Sequence, residues 1–251
     1  REAVDDQTFD CVMSLERTGR QDVWRAGEGV HRLWLRRRRH FEPGWYRWFQ
    51  AFSQRHETIC ELEARAVRQS RLIITNSQMV QMDLEGSFHE CPQTRVIYNG
   101  VDPQRFHPNG SNRRRRWIRR KLGTPYDQCV ALTVGNGFRR KGLHEVLEGL
   151  SKWPEGELWV VGGDPQGPWK REARRLGLGV RVRFLGRRRA MRAVCQATDI
   201  CVVPSWFDPF PNVGLEALRC GTPRLSTAYA GIHELSDPAK NGRVIRSPKH
   251  T

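Results

Sequence analysis

What most constrains this chain is an alternation. Short apolar runs rich in β-formers are separated by stretches whose apolar residues recur on a helical period. The runs are "FDCVMSL" (9–15), "RLIITN" (71–76), "RVIYN" (95–99), "CVALTVG" (129–135), "ELWVVGG" (157–163), "VRFLG" (182–186), "DICVVPS" (199–205), "PRLST" (223–227) and the weaker "GRVIR" (242–246). Most are continuously apolar, as parallel strands covered on both faces require. The stretches 52–70, 77–86, 112–123, 142–152, 169–177 and 189–197 suit crossover helices, and Ser77 is placed to cap the second of them. Strand–helix–strand repetition of this kind predicts an α/β fold with doubly wound parallel sheets.

The stretch "NGVDPQRFHPNGSNRRRR" (99–116) interrupts the alternation with Gly, Pro, Asn and charge, the composition of a linker. Two domains are therefore expected, 1–108 and 109–251, within the range that 251 residues allow. The opening "REAVDDQTFD" lacks an initiator Met and a signal peptide, and the chain stops on "RSPKHT". Both ends read as cut, with the first domain incomplete and the second truncated.

The formal net charge is +16, from 43 Lys and Arg against 27 Asp and Glu; all but Lys121, Lys141, Lys152, Lys170, Lys240 and Lys249 are arginine. Such a balance fits nucleic acid, an anionic membrane or acceptor, or arginine scattered over solvated faces. Clusters stand out at Arg36–Arg39, Arg113–Arg116 and Arg187–Arg189. The segment 24–50 interleaves Trp24, Trp34, Trp45 and Trp48 with Arg and Gly. It reads as a helical hairpin packing its aromatics on the sheet, or as an aromatic–basic interface for membrane or nucleic acid. Arg36–Arg39 is the part expected to face a partner. Seven cysteines, an odd number without C-x-x-C spacing, predict reduced thiols and a cytoplasmic protein. No apolar run reaches the length of a membrane span, so any attachment would be peripheral, on the inner face of the plasma membrane.

Two segments can carry chemistry. In "VGNGFRRKG" (134–142) a strand ends at Gly135, and a Gly-rich turn carrying Arg139, Arg140 and Lys141 opens a helix at Gly142. Backbone amides and a helix start favour an anion there, Arg adds bidentate contacts and Lys a point charge. The spacing is that of neither a Walker A loop nor G-x-G-x-x-G, and a basic surface turn is the plainer alternative. In "SWFDPFPNVGLEALRCGTP" (205–223) Pro209 and Pro211 hold Asp208 on an extended loop. Asn212 is the expected N-cap of a helix over 213–220, and Val213, Gly214 and Leu215 supply its unpaired amides. Gly214 leaves room for a phosphate. Glu216 and Asp208 can accept hydrogen bonds from sugar hydroxyls; equally they are an ordinary helix carboxylate and a loop acid.

In order and spacing, "RLIITNSQMV", "RVIYNGVDPQRFHP", "VGNGFRRKG", "ELWVVGG", "VRFLG" and "DPFPNVGLEALRCGTP" resemble glycosyltransferase family 4 from about residue 9 onward. The resemblance implies the GT-B fold, two Rossmann-like domains facing a cleft. Arg140–Lys141 and "DVWRAGEGVH" are most similar to the bacterial branch that glucosylates the lipopolysaccharide inner core. By this resemblance Lys141 and Arg140 meet the donor diphosphate. Glu216 binds the ribose and Asp208, at the first Glu of a Glu-x7-Glu motif, contacts the transferred sugar. Residues 211–214, among them Asn212, Val213 and Gly214, flank the diphosphate with Gly135, Asn136 and Gly137, and Gly186 and Arg187 lie beside the base. Asp208, Lys141 and Arg140 are the implied catalytic groups. Glu28, His31 and Asn99 are acceptor-side candidates, although a lone Glu or His there also fits a structural role. Many members carry Arg where this chain has Asn136, Asp208 is a methylene shorter than Glu, and Pro211 removes an amide.

The expected activity is retaining transfer of a hexose, glucose, from a nucleoside-diphosphate sugar, UDP-linked, to a glycan or glycolipid such as lipopolysaccharide core. No cofactor and no metal are expected, and no nucleic acid. Two alternatives stand beside this activity: an incomplete fragment that only binds the nucleotide sugar, and an Arg-rich nucleic-acid binder.

Overall fold

The structure, a computed structural model, describes residues 9–44, 54–108 and 112–250. They form two compact units, one of residues 1–39 with 43–98 and one of 40–42 with 99–251. The boundary after Tyr98 precedes the expected linker. Residues 99–108 belong to the second unit because they pack on it: Phe106 is buried, and the His107 carbonyl accepts from Gln196 Nε2 at 2.6 Å.

The first unit runs β1 (Met13–Ser14), β2 (Val23–Ala26), α1 (His31–Arg37), α2 (Gln54–Gln69), β3 (Leu72–Thr75), α3 (Gln78–Glu85) and β4 (Gln93–Val96). Its four strands lie in sequence order and all pair in parallel. Ser77 caps α3 as expected, its hydroxyl accepting from the Val80 N–H at 3.2 Å. Strand β2 corrects the expected helical hairpin at its start. "VWRA" alternates half-buried and buried positions, and Trp24 and Ala26 enter a core with Val67, Ile73, Val80 and Leu84. A four-residue strand with an Arg inside it carries too little apolar signal to stand out in sequence. Trp45 and Trp48 lie outside the described residues.

The second unit contains α4 (Asn112–Leu122), β5 (Cys129–Val134), α5 (Leu143–Ser151), β6 (Gly156–Val161), α6 (Gly167–Arg175), β7 (Val182–Gly186), α7 (Met191–Ala197), β8 (Ile200–Val203), α8 (Asn212–Arg219), β9 (Arg224–Thr227) and β10 (Gly242–Ile245). Its sheet has the order β10-β9-β8-β5-β6-β7, parallel throughout. Strand β6 is buried along its whole length, Glu157 included. Leu143, Leu147 and Leu150 of α5 pack there with Leu158 and Val160.

Several arginines expected at the surface are structural. Arg38 is only 4% exposed; it lies 4.6 Å from the Trp34 ring centroid and 3.1 Å from His56 Nε2. Arg37 pairs with Asp83 at 4.0 Å. Of the run Arg36–Arg39, only Arg36 and Arg39 are exposed, so it does not present a continuous basic face. Arg119 is buried and joins Arg115 on Asp199, whose other oxygen bond comes from the Val130 N–H. This triad ties α4 to β5 and β8. Against the opposing push of burial, these hydrogen bonds hold the Asp199 carboxyl below the usual carboxylate range. All seven cysteines are free thiols.

Candidate functional site

Strands β5 and β8 are neighbours, yet from β5 the chain steps outward through β6 and β7, and from β8 it steps the other way through β9 and β10. This reversal is a topological switch point, where the loops after two adjacent strands part and leave a crevice at their carboxyl ends. The two loops are those singled out by sequence, 135–142 and 204–211. They touch through a glycine: Gly142 has φ +71°, and a Cβ there would lie 2.1 Å from the Pro204 carbonyl oxygen. The Trp206 N–H donates to the Arg140 carbonyl at 2.9 Å, and its indole N–H to Glu145 at 3.0 Å.

In this crevice Lys141 Nζ bonds the Asp208 carboxylate, with the Arg140 guanidinium 3.7 Å from the same oxygen. Arg140 also donates to the Phe207 carbonyl at 2.7 Å. Asp208 is nearly buried, and its backbone is extended as the prolines predict. Its N–H donates to Tyr229 O, and its carbonyl accepts from Gly231 N–H. The lysine reaches this position only by lying across Gly135, where a Cβ would meet Lys141 Cε at 2.8 Å and φ is +145°. Gly137, at φ +74°, completes the turn. Asp164 braces it, accepting from the N–H groups of Gly137 and Phe138 at 3.0 and 2.7 Å. Asp164 had no signal in sequence, because its role depends on β6 lying beside β5. Asn136 is committed to the scaffold: its side-chain oxygen accepts from Gly163 N–H at 2.8 Å.

At α8 the structure corrects two expectations. The N-cap is Pro211, and Asn212 is the first helical residue. The Asn212 side chain turns away from the helix amides and accepts from Asn99 Nδ2 at 2.6 Å. Proline satisfies the cap because its extended φ and ψ, −71° and 105°, are those a cap needs. Nor does Gly214 clear space for a ligand. Its N–H donates to Pro211 O at 3.0 Å, and a Cβ would lie 2.9 Å from Ile232 Cγ1, so its small size serves packing. The amides of Asn212 and Val213 have no partner among the described residues and remain as the helix's positive end. Glu216, one turn in, is half-buried and takes no hydrogen bond from a described residue. Burial pushes its carboxyl above the usual range, while Arg105 pulls it down. Arg105 went unnoticed in sequence, since nothing local links it to a helix over a hundred residues away.

Gly186 turns the chain after β7 with φ +67°, and exposed Arg187 packs its guanidinium on Gly163. The acceptor-side candidates separate. Asn99 joins α8 as above. Glu28 and His31 belong to the first unit, in a network that sequence did not reveal. Arg17 bonds Glu28 and, at 3.1 Å, buried Glu63, and Glu63 accepts from the His31 N–H at 3.0 Å. The His31 ring stacks on Trp34 and lies 3.1 Å from His56. Burial, then His56, Arg17 and Arg38, depress its pKa to about 4, so its ring is neutral near pH 7. Among the described residues no group of His, Cys, Asp and Glu could hold a metal ion.

Two Rossmann-like parallel α/β units, with a cation pair, an acid and a helix start at the switch point of the second, define a protein of the GT-B glycosyltransferase class. The comparisons agree. Residues 114–251 match the family described as glycosyl transferases group 1. The chain is 36% identical over 188 residues to the D-inositol 3-phosphate glycosyltransferase of Corynebacterium jeikeium (strain K411), covering 69% of this chain and 45% of that one. It is 28% identical over 183 residues to the lipopolysaccharide glucosyltransferase WaaG of Escherichia coli (strain K12), covering 70% and 48%. The crystal structure of WaaG, a glycosyltransferase involved in lipopolysaccharide biosynthesis, matches with a TM-score of 0.80 at 23% identity over 97% of this chain and 66% of that one. The chain spans about half the length of these curated relatives. It belongs to the glycosyl transferases group 1 family.

Proposed function

We propose that this chain carries the donor site of a retaining glycosyltransferase. The enzyme moves glucose from UDP-glucose to a glycan or glycolipid acceptor of the lipopolysaccharide-core kind, without a metal. The observation that carries this reading is that Lys141 and Arg140 meet at Asp208 on the loop leading into α8, whose first amides, and Glu216 one turn further along, have no hydrogen-bond partner among the described residues. A diphosphate brings negative charge to this corner, where Asp208 offsets the cations. Lys141 and Arg140 stabilise it most as the glycosidic bond breaks and charge grows on the leaving oxygen. Asp208, held by the Tyr229 and Gly231 backbone, orients the hexose hydroxyls, and Glu216 accepts from the two ribose hydroxyls. Transfer on the front face needs no protein nucleophile. The protein works in the cytoplasm, where nucleotide sugars are made, and meets its glycolipid acceptor at the inner face of the membrane.

Calorimetry with UDP tests the site. Loss of two hydrogen bonds to a carboxylate in Glu216→Ala should weaken UDP about 10- to 100-fold. Unchanged affinity in this variant would refute the assignment.

A further inference from the structure

On the second unit, away from the crevice after β5 and β8, lies a second concavity of about 490 Å³. It sits beside the edge strand β7, between the C-terminal end of α4 and helix α6. Lys121, Lys170, Arg174 and Arg188 line it, and no acidic residue does. All four are exposed. None of Lys170, Arg174 and Arg188 makes a side-chain hydrogen bond or ion pair with a described residue. A fifth cation, Arg183, is spent on the wall: it bonds Glu157 at 2.5 Å and the Gly123 carbonyl at 2.8 Å, joining β7 to the end of α4. The lining is more polar than apolar; Leu122, Ala173, Val182, Phe184 and Leu185 supply its apolar part, and Lys170 Nζ lies 5.9 Å from the Phe184 ring centroid.

The surroundings extend this pattern. Helix α4, "NRRRRWIRRKL", has no acid. Its exposed positions include Arg113, Arg114, Arg116 and Arg120, with Trp117 52% exposed among them and Lys121 4.9 Å from the Trp117 ring centroid. Val180, beside the pocket residue Gly179, is 86% exposed. Unpaired cations around a partly apolar lining, next to an exposed Trp and Val, match an anionic amphiphile. Phosphates meet the rim, the glycerol and first methylenes meet the floor, and the aromatic sits at the headgroup level. A nucleic-acid strand would instead favour a continuous basic groove with stacking faces. None of the described helices is long and apolar enough to cross a membrane, so contact would be at the surface.

We infer that the α4–α6–β7 edge of the second unit is a docking site for the headgroups of an anionic phospholipid membrane. The inference deepens the membrane location proposed above and does not rest on the donor site; its test needs no nucleotide. The full chain is sedimented with vesicles of phosphatidylcholine alone or with phosphatidylglycerol. Wild type should partition onto the anionic vesicles only. Each basic residue near such a surface contributes roughly five-fold, so the triple variant K170E/R174E/R188E should lose about a hundred-fold or more. Trp117→Ala, which leaves the charge unchanged, should lose several-fold. The control R243E/R246E/K249E makes the same charge change at exposed positions on and just beyond the opposite edge strand, β10, and should keep most of the binding; circular dichroism checks that both triple variants are folded. Equal loss in both triple variants would reduce the effect to net charge and overturn the assignment. So would absence of vesicle binding, or duplex DNA binding that the first triple variant abolishes while wild type ignores phosphatidylglycerol.

Discussion

Arg224→Met should make this protein more stable. Arg224 stands on β9 with none of its surface exposed. Its Nη2 donates to Ser236 Oγ at 2.6 Å, but Nε and Nη1 have no acceptor among the described residues. Burial lowers its pKa to about 10, well below the usual arginine range, which corresponds to about 3 kcal/mol of penalty on the charged form. The sign follows from the direction. A cation whose folded pKa is depressed destabilises the fold wherever it must stay charged, so the penalty is complete below about pH 10 and is relieved only as pH rises above it. Methionine removes that penalty and the Ser236 bond, the latter contributing about 1 kcal/mol, and its flexible chain fills much of the same channel. The net gain should be about 1–2 kcal/mol, or roughly 3–8 °C in Tm for a unit of this size. Urea unfolding of wild type, Arg224→Met and Arg224→Lys at pH 7 measures it, with the slope of the transition unchanged. The lysine variant keeps a buried charge and should gain nothing. A methionine variant less stable than wild type by more than about 1 kcal/mol would show that the guanidinium has a partner, and the reasoning would fail.

Other expectations follow from the same contacts. Asp199→Ala strands the buried Arg119 charge and should cost about 3 kcal/mol in urea melts. Because the Asp199 pKa is held below 3.8, its contribution should be complete above that value and fade as pH falls through the folded pKa. Gly135→Ala puts a methyl on Lys141 and an unfavourable φ on alanine. It should weaken UDP in calorimetry by about ten-fold or more while costing about 1–2 kcal/mol of stability; unaltered affinity would mean that Lys141 does not need its present path. The His31 pKa near 4 predicts that stability falls as pH drops from 6.5 toward 4, because the unfolded chain takes up the proton first. Melts of wild type and His31→Gln across that range should diverge in this sense, and an NMR titration of the ring showing an ordinary pKa would remove the effect.

Much of this site is legible along the chain, for a specific reason. The residues around the Lys141–Asp208 pair lie within two short segments, each following a strand, and Gly, Pro, Lys and Asp carry their conformational and charge preferences locally. Asp208 is extended because Pro209 follows it. Gly135, Gly137 and Gly142 turn where a side chain cannot. The misreadings share another cause. The cap falls at Pro211 instead of Asn212, whose side chain bonds the distant Asn99. Gly214 is small for the sake of Ile232, which no nearby residue announces. Arg38 and Arg119 are buried because Trp34, His56 and Asp199 receive them, whereas a run of arginines in sequence looks alike whichever way it faces.

The sequence by itself determined the parallel α/β architecture of the two units, most of the strands, and the two loops proposed to carry the donor chemistry. Apolar periodicity and the φ limits of glycine and proline act over a few residues and are written there. Only the tertiary structure decided that β5 and β8 are neighbours, which brings Lys141 onto Asp208, and that Asp164 and Arg105 complete the site. It alone separated the arginines that hold the fold from those left at the surface. Those outcomes depend on which strands meet and which faces they bury, energies shared between residues far apart in the chain.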